Sequence, residues 1–386
     1  MDMLPVETAD VVIIGGGVMG TSTAYHLAAR GIKNIVLLER EEFFGHGATS
    51  RCAGGARHQF GTEVSVWLSI ESLGMLERFK EELGQDIEFR KCGYLFDLTN
   101  DLDVEQFRSN VELQHRLGVT TRWLSADDVR ASLPAMAFAG AKAGTLTDED
   151  RLIDPNVVVA GYVNAARRLG ATLLNDVEVI AIRGASGRLR AVETSRGPID
   201  TALVVNAAGP WAAPVSALAG PSLPVEPIRR QWFTTTPLPG LTDDLPFVID
   251  FAQSLYCQRE GQGLLGGMGN PDEEAGFEQN VDEEFELTNL AATAAGMPML
   301  ESAGRASHWT GLYEVMPDAH PIFGATPIDG FPVVTGFSGH GFMHGPIAGK
   351  LMSELIVDGS YGAADVSALD LARVPEHRLI QEYNVV

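Results

Sequence analysis

Residues 10–20 read DVVIIGGGVMG. Val11–Ile14 is wholly apolar, the pattern of a strand buried on both faces. Gly15, Gly17 and Gly20 follow in GxGxxG register. A helix is predicted over Val18–Arg30 (VMGTSTAYHLAAR), with Gly31 as its stop. A second strand is predicted over Asn34–Leu38, and Glu39 stands at its end, 19 residues after Gly20. In such a unit Gly15 permits the tight turn, Gly17 lets backbone approach a pyrophosphate, and Gly20 lets the helix pack closely on the strand. The free N–H groups of the helix start meet the anion, and Glu39 accepts from ribose hydroxyls. A lone GxGxxG carries little. Strand, helix, strand and acid together point to a dinucleotide, because a glycine-rich turn without a ligand does not account for Glu39 at that spacing.

The acid disfavours a 2′-phosphate and leaves NAD and FAD open. The next segment separates them. Residues 45–58 read GHGATSRCAGGARH, a second loop of small residues where a nicotinamide dehydrogenase would normally run into another helix. Such a loop can wrap the far part of an extended cofactor. Later, LVVNAAGPW (203–211) reads as a buried strand ending at Ala208-Gly209, another place for backbone to meet ligand.

A chain of 386 residues has room for two domains or one large α/β unit with an inserted lobe. Its formal net charge of −23 argues against nucleic acid and against an anionic membrane surface. The start MDMLPVETAD has neither the basic residues nor the apolar core of a signal peptide. The uncharged run 201–225 is broken by Pro210, Pro214, Pro221 and Pro224, so no membrane span is expected. Cys52, Cys92 and Cys257 form no CxxC and no even set, and a reduced cytoplasmic setting is expected. The acidic run 272–286 is read as a solvated loop and helix start.

Taken in order, VVIIGGGVMG, LLER, GATSRCAGGARHQFG, VVNAAGPW and GFSGHGFMHGP resemble the D-amino-acid-oxidase-like family of FAD enzymes. The nearest branch contains sarcosine oxidase and its β subunits, glycine oxidase and dye-linked proline dehydrogenase. The resemblance implies an α/β (α+β) architecture. A Rossmann-like FAD domain (1–80, 145–215 and 305–386) would be interleaved with a substrate domain on an antiparallel sheet (81–144 and 216–304). It places FAD's pyrophosphate over Gly15–Gly20, with Val18 and Met19 at the helix start, and the ribose at Glu39, beside Arg40. Thr49, Ser50, Arg51, Ala53, Gly54 and Gly55 would run along the ribityl chain, with Arg51 read as a phosphate contact. Val177 would meet adenine. Ala208, Gly209, Trp211, Gly311 and Gly339–Met343 (including His340, Gly341 and Phe342) would complete the cofactor site.

For the substrate, the resemblance puts Arg57 on a carboxylate, a task that suits a planar, permanently charged guanidinium. Tyr256, His58, Met343 and His344 are the other candidates, and Cys257 should point away from Tyr256 along a strand. The departures are informative. The covalent-flavin cysteine of monomeric sarcosine oxidases aligns with Gly311, and no histidine stands in DEDRLIDP (148–155), so FAD is expected to be non-covalent. Lysines that serve oxygen and carboxylate in the oxidases align with Leu265 and Met343. The implied reaction is oxidation of a small amino acid or secondary amine by hydride transfer to flavin, with a dehydrogenase as plausible as an oxidase. A 2-hydroxy-acid dehydrogenase and an electron-relay subunit of a larger complex are the alternatives, and a partner subunit or homo-oligomer is compatible with either.

Overall fold

The computed structural model describes residues 4–386 apart from 135, 139, 186, 187, 363 and 364. Val11–Ile14 is a central strand of a six-stranded sheet. Val204–Asn206 and Ile35–Leu38 flank it in parallel, with Val12 opposite Val204 and Val36. Thr172–Leu174 adds beyond one side. Val333–Thr335 adds beyond the other and pairs antiparallel with Ile322–Gly324 at the edge.

The apolar run at 11–14 has a direct cause. Successive side chains of a strand point to opposite faces. Val11 and Ile13 pack among the helices Val18–Ala29, Pro155–Arg168 and Gly341–Asp358. Val12 and Ile14 pack against a three-stranded antiparallel sheet formed by Val179–Ala185, Arg188–Thr194 and Gly197–Asp200. Both faces are covered, so no polar alternation is tolerated. The first and last helices approach closely: a Cβ on Gly345 would lie 2.4 Å from Val18, and one on Gly349 2.2 Å from Ser22. Ser22 Oγ donates to the Pro346 carbonyl at 3.2 Å. This crossing brings GFSGHGF to the glycine loop at the other end of the sequence.

The second large sheet has eight strands, in the order Arg305–Val315, Glu226–Thr235, Gly263–Met268, Leu255–Glu260, Phe247–Asp250, Tyr94–Leu98, Ala143–Thr147 and Arg122–Ser125. All neighbours are antiparallel except Phe247–Asp250 with Tyr94–Leu98. Two strands fall at the expected segment joints. Arg305–Val315 pairs with Glu226–Thr235 along its length, stacking Trp309 beside Trp232. Ala143–Thr147 pairs with Tyr94–Leu98. Both strands therefore belong to the eight-stranded sheet, and the former carries Gly311–Glu314 from that sheet into the cofactor region.

Asp97 sits within this sheet, 4% exposed, with Oδ1 unpartnered. Burial, reinforced by Asp250 and opposed by Arg130, raises its pKa to about 7. The folded chain therefore holds this proton more tightly than the unfolded chain. The associated stability is present at low pH and is lost as pH rises through the window from the ordinary Asp value to about 7. Asp97→Asn is expected to raise thermal stability at pH 8, by on the order of 1–2 kcal/mol, and to change it far less at pH 4. Unfolding curves at the two pH values check this, and an equal effect at both would refute it.

Candidate active site

Gly15 forms the turn out of the central strand with φ +108°, a region that suits glycine. A Cβ there would lie 2.4 Å from the Ala207 carbonyl oxygen. Gly15 N–H donates to Leu38 O and Ala207 N–H to Ile14 O, both at 2.9 Å. The loop is thus fixed between its two neighbours. Gly20 is tighter still, since a Cβ would lie 1.9 Å from Gly15 O. Glu39 closes the loop from the side. Its Oε2 accepts from Gly16 N–H at 2.7 Å and its Oε1 from Glu41 N–H at 2.9 Å. Burial raises the Glu39 pKa and these two donors oppose the rise. Each oxygen keeps acceptor capacity for a further hydroxyl. Thr49 Oγ1 accepts from Val18 N–H at 3.2 Å at the helix start.

These elements border a cleft of about 1280 Å³. Gly15, Gly17, Val18, Met19, Glu39, Arg40, Thr49 and Val177 line one part of it. Ala208, Gly209, Trp211, Gly311, Gly339, Gly341 and Phe342 line the rest. A second cleft of about 580 Å³ adjoins it, lined by Ala53, Gly54, Gly55, Arg57, Tyr256, His340 and Met343 among others. Cys52, Trp232, Tyr313, Gly339 and Phe342 line both, so the two spaces meet there. A long cleft bordered by glycine turns and by the starts of Val18–Ala29 and Gly341–Asp358 fits an extended dinucleotide such as FAD.

Five of the residues expected to touch cofactor or substrate line neither cleft. Gly20 acts from behind the loop, by packing. Ser50 lies beside Thr49 in the short 3-10 turn Thr49–Arg51. Arg51 donates to the carbonyls of Thr310 (2.9 Å) and His46 (3.4 Å). His58 is held by Asp150, whose Oδ1 accepts from His58 N–H (2.9 Å) and meets His58 Nδ1 (2.6 Å). His344 packs against Phe60, and its Nε2 meets Ser69 Oγ at 2.9 Å. Burial pushes its pKa down to about 3. Neither His58 nor His344 lines either cleft.

Arg57 lines the second cleft but is heavily engaged. It is 4% exposed, donates to the carbonyls of Gln59 and Asn384, and stacks on the Phe60 ring at 4.0 Å. His340 also lines this cleft, with both ring nitrogens unpartnered, and burial drives its pKa well below the ordinary value. It is a neutral imidazole. Cys257 faces away from Tyr256 into a different apolar cluster, as strand alternation requires. Free thiols at Cys52, Cys92 and Cys257 form no disulfide.

Sequence reasoning passed over Trp232, Tyr313 and Glu314. Tyr313 and Glu314 follow Gly311 on Arg305–Val315. Glu314 Oε2 accepts from Thr335 Oγ1 at 2.8 Å, and its carbonyl accepts from Ser338 N–H at 3.0 Å, tying down the GFSGHGF loop. Burial raises the Glu314 pKa, opposed by Thr335 and the Gly336 and Phe337 amides. The acid in GLYEVMPD was a visible signal. Its meaning depends on the loop it meets.

A parallel sheet ending in a glycine cradle, joined to an antiparallel sheet that walls a second cleft, fits a dinucleotide-dependent oxidoreductase. The family model described as FAD dependent oxidoreductase (DAO) matches residues 10–355, and the chain belongs to that family. It is similar to FAD-dependent oxidoreductase domain-containing protein 1 of Xenopus laevis, 30% identical over 99% of this chain and 86% of the relative. It is also similar to 4-methylaminobutanoate oxidase (formaldehyde-forming) of Paenarthrobacter nicotinovorans, 28% identical over 99% of this chain. The match spans 47% of that relative's length. Among solved structures, the L-proline dehydrogenase of P. horikoshii superposes with a TM-score of 0.90 at 30% identity, covering 97% of this chain and 100% of that one. No described helix is long and apolar enough to cross a membrane.

Proposed function

We propose that the protein oxidises a small secondary or N-methyl amine, or an amino acid, to an imine, with FAD held non-covalently in the first cleft and the amine in the second. The observation that carries this is the junction at Cys52, Trp232, Tyr313, Gly339 and Phe342, where the two spaces meet. FAD, when bound, supplies the two-electron acceptor. The protein's share is position and electrostatics. The glycine loop and the start of Val18–Ala29 receive the pyrophosphate, Glu39 the ribose, and Gly339–Gly341 with the start of Gly341–Asp358 the redox-active end.

The second cleft suits a neutral amine attached to an anion. None of the described side chains lining it is acidic, while Arg57 is cationic. Among those side chains an ammonium group finds no counter-charge, whereas a carboxylate does. The names of the 4-methylaminobutanoate and L-proline enzymes support an amine of this kind.

Anaerobic mixing of the holoenzyme with sarcosine, proline, glycine, 4-methylaminobutanoate, D-amino acids and 2-hydroxyglutarate tests the reading. Bleaching of the flavin by an amine is expected. Bleaching by 2-hydroxyglutarate alone would replace it with the hydroxy-acid reading. Gly311 has no thiol to anchor a flavin, so acid precipitation should release all the yellow colour; colour retained in the pellet would refute non-covalent binding.

A further inference from the structure

The carboxylate of Glu382 is fully buried. Its Oε1 accepts from Gly61 N–H at 2.8 Å and from Asn384 N–H at 3.0 Å. Its Oε2 accepts from Thr62 N–H at 3.1 Å and from Thr62 Oγ1 at 2.9 Å. Thr62 is the N-cap of the helix Glu63–Glu77, and its own side chain caps nothing there. Glu382 thus supplies, from 320 residues along the chain, the acceptor that a capping-box acid supplies from within a helix. Negative charge is also stabilised at a helix start. Taking a carboxylate out of water is costly unless donors saturate its oxygens, as they do here.

The anchoring continues at Asn384, which is also fully buried. Its Nδ2 donates to Gln59 O at 3.2 Å, and its Oδ1 accepts from Asn110 Nδ2, on the helix Asp101–Arg116, at 3.3 Å. Its carbonyl accepts from Arg57 Nη2. Tyr383, between the two anchors, is exposed, as alternation along an extended segment requires. The next two residues are apolar. Val385 and Val386 line the second cleft and not the first. Val386 packs against the apolar cluster that contains Tyr94, Phe247 and Tyr256, and these three line the same cleft. Arg57 lines it too, and it holds the carbonyl immediately before Val385. One segment therefore sets both the cation and the apolar surface of this space.

We infer that Val385 and Val386 are the wall that selects the hydrocarbon part of the substrate, and that Glu382 and Asn384 are the positioning residues that hold this wall. This rests on the amine-oxidation reading for what the bound molecule becomes, but not for its binding. The valine side chains carry no polar atom, so the part of the amine that meets them is an alkyl group or a ring, not a second carboxylate. Valine is branched at Cβ and stiff at χ1. The place of each methyl group is thus set by the backbone, and the backbone by the two buried anchors. Such a wall discriminates by size, because one methylene in an apolar pocket changes kcat/KM by about tenfold or more.

Two measurements on the FAD-loaded enzyme test it. The first is titration with acetate, isobutyrate and pivalate, followed by the perturbation of flavin absorbance. Val385→Ala and Val386→Ala are expected to shift the ratio of dissociation constants about tenfold in favour of the bulkier acids. The second is kcat/KM for sarcosine against N-ethylglycine, and for proline against pipecolate. Val386→Ala should favour the larger member of each pair about tenfold, through KM more than kcat. Glu382→Gln places an amide where backbone donors converge, and it should weaken size discrimination in both measurements. Flavin content and melting temperature show whether each variant is folded. The inference is overturned if the wild type binds none of the acids, if neither valine variant shifts their ratio, or if folded Glu382→Gln discriminates as the wild type does. If the acid ratios shift as expected but no amine reduces the wild-type flavin, the wall stands and the amine-oxidation reading fails.

Discussion

Gly20→Val is expected to yield protein that purifies without its yellow chromophore. A Cβ at this position would lie 1.9 Å from Gly15 O, 3.1 Å from Gly15 C and 3.3 Å from the Ile13 side chain. The nearest obstacles are backbone atoms, and they have nowhere to go. Gly15 is pinned by its hydrogen bond to Leu38 O, and the residue before it by the bond from Ala207 N–H to Ile14 O. The helix Val18–Ala29 must move outward instead, away from the strand and from the last helix that crosses it. Overpacking of this kind costs about 1–3 kcal/mol or more. It also misaims the helix-start N–H groups at the pyrophosphate. FAD affinity should fall at least about tenfold, with a lower melting temperature. Gly341→Ala is the useful contrast. Its Cβ would meet Glu314, Phe337 and Met19 at 3.4–3.5 Å, ordinary contact distances, so any loss of flavin there reports on the ligand and not on the fold. The ratio of flavin to protein absorbance measures both. Gly20→Val retaining full flavin would refute the argument.

Leu265→Lys is expected to speed reoxidation of the reduced enzyme by oxygen at least about tenfold. Leu265 is 3% exposed, on Gly263–Met268, in the apolar cluster that contains Trp232 and Tyr256. Oxygen must acquire negative charge beside the flavin, and a cation there stabilises that charge strongly in a low-dielectric site. The wild type offers an apolar side chain at 265 and another at Met343. Its reduced form should therefore react slowly with air and quickly with an artificial dye. Burial depresses an introduced lysine's pKa. Its benefit is thus present at low pH and fades as pH rises through that depressed value. Stopped-flow reoxidation with oxygen and with a dye gives both rates. A wild type reoxidised by air as fast as by dye would remove the basis for this expectation.

Local elements were readable because their causes are local. The helix predicted over Val18–Arg30 ends at Ala29 with Arg30 as its cap, and Gly31 takes φ +88° to leave it. Asp154-Pro155 starts a helix because the Asp154 side chain accepts from Asn156 N–H at 2.8 Å and proline fits the first turn. The last helix begins at Gly341, with His340 as its cap. Individual side chains were less legible. Arg51, His58 and His344 have the right chemistry for a site, and each finds a partner far along the chain: Thr310, Asp150 and Ser69. Trp232 and Tyr313 lie on strands where a sequence shows only alternation.

The sequence by itself determined the dinucleotide cradle, since a tight turn, a close backbone approach and a helix start all depend on residues within thirty positions of one another. It also pointed to FAD, through a second small-residue loop and the family resemblance that these motifs carry. The tertiary structure alone decided which cations and histidines face the second cleft. A side chain's free hydrogen-bonding capacity depends on what packs beside it, and here the partners lie on strands and loops up to 327 residues away.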